Sequence, residues 1–97
     1  MDEKEKQTLT NLAQKVDRIL KEELLKAKIE CLDSEVRIYD IKTVGVQGDS
    51  QTYCYPAEIE LKQRQNFIWN PDFLERLSSR ITNEVRDINR VLYVLRY

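Results

Sequence analysis

Histidine is absent from this 97-residue chain. Without imidazole there is no Ser/His/Asp or Cys/His nucleophilic relay, and the commonest transition-metal ligand is missing. Cysteine is scarce: Cys31 and Cys54 are far apart and form no Cys-x-x-Cys pair. That spacing argues against a disulfide framework or a zinc site and reads both as packed thiols of a reducing compartment. Neither charge sign is in excess, with 16 basic and 17 acidic residues and a net charge of −1. Such a balance offers no basic field to a nucleic-acid backbone. No apolar run reaches the roughly 18 to 20 residues that span a bilayer. The opening Met1-Asp2-Glu3-Lys4-Glu5-Lys6 also lacks the apolar core of a secretion signal, so the expected location is cytoplasmic.

What is present is 41% hydrophobic and 34% charged, the composition of a globular chain, and its length suits one domain. Residues 1–8 read as a charged, flexible lead-in and residues 9–97 as the domain. Leu9, Leu12, Val16, Ile19, Leu20, Leu24 and Ala27 recur at helical spacing, predicting an amphipathic helix of about five turns with Thr8 or Thr10 at its start. Residues 36–46 turn β-branched and aromatic, and their alternation slips phase around Asp40, which predicts a bulge or bend there. Gly48 and Asp49 supply turn chemistry. Tyr53, Tyr55, Ala57, Ile59 and Leu61 then alternate with polar residues as a half-buried strand. Pro56 lies inside it, so that strand is predicted to be at an edge or bulged. Asn70-Pro71-Asp72 announces a second helix by N-cap, N1 proline and acidic first turn, with Leu77, Ile81 and Val85 on its core face. The run Val91-Leu92-Tyr93-Val94-Leu95 is apolar at every position, predicting a strand covered on both faces, either central in the sheet or with its second face covered by a partner subunit.

The fold class expected from this order is α+β: a two-layer α-β-β-α-β sandwich, a three-stranded sheet with two helices on one face. The other sheet face would be left uncovered, and tyrosines and aliphatics there would form an apolar patch. Homodimerisation is the expected consequence.

Three ordered segments resemble one known family. Val44-Gly45-Val46-Gln47-Gly48-Asp49-Ser50-Gln51-Thr52-Tyr53 resembles V-G-V-x-G-D-x-R-T-Y of the GMP synthase C-terminal dimerisation domain. Phe73-Leu74-Glu75-Arg76-Leu77-Ser78-Ser79-Arg80-Ile81-Thr82-Asn83-Glu84-Val85 is similar to that family's F-L-E-R-I-S-N-R-I-T-N-E-V helix. Ile88-Asn89-Arg90-Val91-Leu92-Tyr93 is similar to its V-N-R-V-V-Y strand, and Glu22-Glu23-Leu24 extends the likeness toward the first helix. The resemblance implies a fold related to the alpha-lytic protease prodomain-like and type II KH-like arrangements. It also implies a role in purine nucleotide (GMP) biosynthesis, within a family of ATP-dependent, glutamine-hydrolysing ligases.

The same resemblance assigns the site residues. Lys42 stands where the family places a phosphate-binding arginine, keeping the charge without the bidentate fork; a solvent-facing lysine is the plainer alternative. Gln51 replaces the arginine of G-D-x-R-T-Y. Gly48, Asp49, Tyr53, Tyr55 and Tyr93 are candidates for a dimer interface, or for hairpin turn chemistry in the case of Gly48 and Asp49. The family's K-P-P-x-T-x-E-W-E tail and its S-G-G-x-D-S pyrophosphate loop are not found in this sequence. No catalytic residue, metal ligand or cofactor is therefore expected here; ATP and magnesium belong to the family's synthetase domain.

The leading expectation is a stand-alone, non-catalytic homodimerisation or accessory module, with an ATP-pyrophosphatase subunit of GMP synthase as a candidate partner. A regulatory purine-nucleotide-binding protein with a partial phosphate site is the alternative. A KH-like RNA binder ranks below both, since no G-x-x-G loop is present. Glu58 and Glu60 read as a solvated strand face, Arg76, Arg80 and Arg86 as members of surface ion pairs, and Trp69 beside Phe67 as a hydrophobic plug.

Overall fold

The computed structural model describes residues 3–47, 50–63 and 68–95. The first helix, α1 (Glu3–Ala27), buries Leu12, Val16, Ile19, Leu20 and Leu24 along one stripe. It begins at Glu3, inside the segment expected to be a lead-in, and Thr8 returns its hydroxyl to the Lys4 carbonyl rather than capping the start. Its end is a Schellman turn: Ile29 N donates to Leu24 O at 3.0 Å and Lys28 N to Leu25 O at 3.2 Å. Closing that turn forces Lys28 to φ 56°, the left-handed region where a Cβ is penalised. Lys28→Gly is therefore expected to stabilise the chain by about 1 kcal/mol. The check is a urea midpoint that rises while the slope stays fixed.

Four strands follow or flank the second helix: β1 (Asp33–Ile38), β2 (Thr43–Gln47), β3 (Ser50–Lys62) and, after α2 (Pro71–Glu84), β4 (Ile88–Tyr93). The expected three strands are four because the first is divided. Ile38 pairs with Ala57 and Thr43 with Cys54, so residues 39–42 lie opposite only Tyr55 and Pro56. The surplus interrupts the ladder where the apolar alternation slips phase. β2 and β3 pair antiparallel as far as Gln47 opposite Ser50; the turn expected at Gly48 and Asp49 lies outside the described residues.

The central strand is β3. β1 pairs antiparallel with its second half, β2 antiparallel with its first, and β4 runs parallel along its middle, making a mixed sheet. Pro56 is thus not at an edge, and the bulge alternative is the one realised. The β3–β4 register shifts between Tyr55 and Pro56, at the residue that has no N–H to donate. Tyr55 N reaches Asp87 O at 2.9 Å, just before β4 begins. β4, expected to be central, pairs with β3 alone among the described residues, and its Leu92 is 42% exposed. Its continuous apolar run is split by the pleat: Val91 and Tyr93 pack on the core, Leu92 points away.

Both helices join one core. Ala57, Ile59 and Leu61 of β3 meet α1 and α2, whose Phe73, Leu77 and Ile81 are buried, as is Ile88 at the start of β4. The start of α2 is as predicted: Asn70 Oδ1 accepts from Phe73 N at 3.1 Å, with Pro71 in the first turn. Ile68 packs against the core, whereas Trp69 is 61% exposed and is not the buried plug expected. Phe67 lies outside the described residues.

Candidate functional site

The two segments most specific in sequence, the hairpin and the start of β4, meet in space. Asn89 Nδ2 donates to Thr43 O at 2.7 Å, while Thr43 Oγ1 and Asn89 Oδ1 are 2.9 Å apart. One position further, Arg90 Nη2 donates to Val44 O at 3.0 Å. Gly45 completes the fit, because a Cβ there would stand 3.0 Å from Asn89 Cβ, Cγ and Nδ2. The glycine is needed for close approach of a neighbouring side chain. On the partner strand Cys54 Sγ reaches Arg86 O at 3.6 Å. One face of the hairpin, carrying Thr43, Gly45 and Cys54, is therefore tied to the segment that begins β4.

Lys42 is exposed immediately before β2, with its Nζ 5.6 Å from the Tyr55 ring centroid, a cation–π distance. The other candidate residues do not gather around it. Tyr53 is 69% exposed and directly opposite Val44, which is 40% exposed. Tyr55 is half-buried against the core. Tyr93 lies at the far end of β4, where its hydroxyl donates to the Ile68 carbonyl and burial raises its pKa. Gly48 and Asp49 fall outside the described residues.

The sheet face turned away from the helices is not the apolar patch expected of it. Arg37 binds Glu58 and Glu60 at 2.6 Å each and Glu35 at 2.8 Å. Tyr39 OH donates to Glu58 at 2.8 Å, and that bond makes the Tyr39 phenol hold its proton more tightly than usual. Glu60 is only 5% exposed beneath this cluster, so Glu58 and Glu60 are not a solvated pair. Register brings the four together: Arg37 opposes Glu58 and Glu35 opposes Glu60. Arg80 plays the same part between helices, binding Glu22 at 2.6 Å, Glu23 at 3.1 Å and Glu84 at 2.5 Å. Glu23 is 5% exposed, and Arg80 holds the Glu22 carboxyl below its ordinary pKa. Arg80 is thus a tether joining α1 to α2, not a loose surface pair, while Arg76 and Arg86 are exposed.

Asn89 and Arg90 were not singled out from sequence, although they sit inside the V-N-R-V-V-Y-like segment; their partners are 46 positions away. Arg37 had a fainter signal, alternating in phase with Glu35 on a strand that would pair with Glu58 and Glu60. Among the described residues no group of His, Cys, Asp or Glu is arranged to hold a metal ion, and no helix is long and apolar enough to cross a membrane.

The fold and this clamp describe a small α+β module whose most specific residues build scaffold contacts. The chain belongs to the GMP synthase C terminal domain family, which it matches over residues 21–96. Among curated relatives it is 42% identical over 91 residues to the glutamine-hydrolyzing GMP synthase of Borrelia garinii subsp. bavariensis, covering 86% of this chain and 17% of that protein. It is 39% identical over 90 residues to the enzyme of the same name from Symbiobacterium thermophilum, covering 84% of this chain and 18% of the relative. For Fusobacterium nucleatum the identity is 38% over 91 residues, covering 86% and 18%. The chain thus spans less than a fifth of the length of these relatives.

Proposed function

We propose that this chain is an assembly module of the GMP synthase type, which holds copies of itself, and through them synthetase subunits, together without contributing catalytic groups. The observation that carries the reading is the clamp: Val44 and Gly45 of one family-like motif, with Thr43 just before it, engage Asn89 and Arg90 of another. Residues engaged in this way position a hairpin; they are not poised on a substrate. The charged side chains of both networks are likewise committed, Arg37 to three carboxylates and Arg80 to three more. A cytoplasmic ATP-pyrophosphatase subunit is the partner this reading names, and ATP and magnesium would be bound by that subunit.

The test is sedimentation velocity at micromolar concentration, followed by GMP formation measured with an ATP-pyrophosphatase subunit in the presence and absence of this chain. A dimer that raises the subunit's activity and has none alone is the expected result; a clean monomer without effect would sink the proposal. A second reading, a purine-nucleotide sensor, rests on Lys42, a basic side chain that is exposed and lies beside the Tyr55 ring. Titration with xanthosine monophosphate separates the two. The assembly reading expects no saturable shift at Lys42 or Tyr55, whereas the sensor requires one.

A further inference from the structure

We infer that the β2–β3 hairpin is a hinged arm, latched by Asn89 and Arg90, that opens as one unit while the rest of the domain stays folded. The ladders all break at one level. β1 leaves β3 where Ile38 faces Ala57, β2 joins it only where Thr43 faces Cys54, and the β3–β4 register shifts between Tyr55 and Pro56. Past that level β4 has ended, since Ile88 faces Tyr55, and β3 alone carries the sheet into the hairpin. The backbone bonds at the level itself, Tyr39 N to Pro56 O at 3.4 Å and Tyr55 N to Asp87 O at 2.9 Å, secure the pivot and not the arm.

What holds the arm is polar. Val44 and Tyr53 are 40% and 69% exposed, and no described side chain of the hairpin joins the hydrophobic core, whereas Ala57, Ile59 and Leu61 further along β3 are buried in it. The ties are the paired contacts of Thr43 with Asn89, Arg90 Nη2 on Val44 O, and Cys54 Sγ near Arg86 O, with Gly45 admitting Asn89. Water replaces most of such bonds on opening, so each contributes little net, while opening the core exposes apolar area. Segments poor in buried apolar contacts open first. Once released, a two-stranded hairpin is marginal in water, so its ladder amides become exchangeable together. A partner that touches the arm and the body at once favours the latched state and, by linkage, is held more tightly when the ties are intact.

The experiment is amide hydrogen exchange, residue by residue, on the wild-type chain and on Asn89→Ala, Thr43→Val and the core variant Ile81→Val. Ile81 is fully buried on α2. In the wild type the protected hairpin amides are expected to share one opening constant, at least about a hundredfold above that of Val36, Ile59 and Leu61. Ile81→Val raises exchange of those body amides about three- to tenfold and leaves the hairpin amides unchanged, because the core is intact in the open-arm state. Asn89→Ala raises hairpin exchange at least about fivefold, through loss of its two bonds to Thr43. Thr43→Val, which removes only the hydroxyl, gives a smaller rise and decides the matter should Asn89→Ala fail to fold. Equal acceleration of hairpin and body by Ile81→Val, or hairpin amides indifferent to the latch variants, overturns the hinged arm; neither result bears on the assembly reading.

Discussion

Phe73→Ala is expected to lower the unfolding free energy by about 3–5 kcal/mol. Phe73 is fully buried, in the first turn of α2, and it is among the largest fully buried side chains. Its removal leaves a space lined by residues of two helices and a sheet, which cannot all collapse inward together. The backbone cap is unaffected, since Asn70 Oδ1 accepts from the Phe73 amide, not from its ring. The loss is thus one of packing alone. Domains of this size are stable by about 5–15 kcal/mol, so the substitution removes a large share of the whole. Urea unfolding followed by far-ultraviolet circular dichroism reads it directly. A loss below about 1 kcal/mol would mean that the core relaxes into the space, contrary to the typical behaviour of large-to-small substitutions.

Gly45→Ala is expected to destabilise by about 1–2 kcal/mol, even though alanine is intrinsically the better strand residue by roughly 0.5–1 kcal/mol. Overlap decides the sign. The new Cβ would stand 3.0 Å from three atoms of Asn89, including its Cβ, which cannot swing away without moving β4. Asn89 would also be pushed off the Thr43 carbonyl it now meets at 2.7 Å. Adding Asn89→Ala should restore part of the loss, because two of the three crowded atoms, Cγ and Nδ2, are then gone. A double-mutant cycle measures this coupling, and strict additivity would show that the clamp does not exist in solution.

Much of the local architecture was legible in advance. The stripe from Leu12 to Leu24, the Asn70-Pro71 start of α2 and the interruption near Asp40 all follow from short-range rules: helical periodicity, capping chemistry and a slipped alternation. The misreadings share another origin. Val91 to Leu95 looked central because every residue is apolar, yet strand order depends on which edges pair, and periodicity carries no information about neighbours. Pro56 looked peripheral for the same reason; β3 retains it at the centre by shifting register where the N–H is missing. Glu58 and Glu60 looked solvated because the residue that neutralises them, Arg37, belongs to a different strand.

The sequence alone determined the fold class, the family, the presence of both helices and the lack of histidine-based chemistry, since each is written in residue type and spacing along the chain. The tertiary structure decided that the hairpin is locked onto β4 through Asn89, that Arg37 and Arg80 each gather three carboxylates, and that Tyr53 stands exposed while Tyr55 and Tyr93 do not. Those outcomes depend on strand register and on helix–helix packing, which bring residues 46 and 58 positions apart into hydrogen-bond contact. Register is settled by the best collective burial of the whole chain, so no single segment contains it.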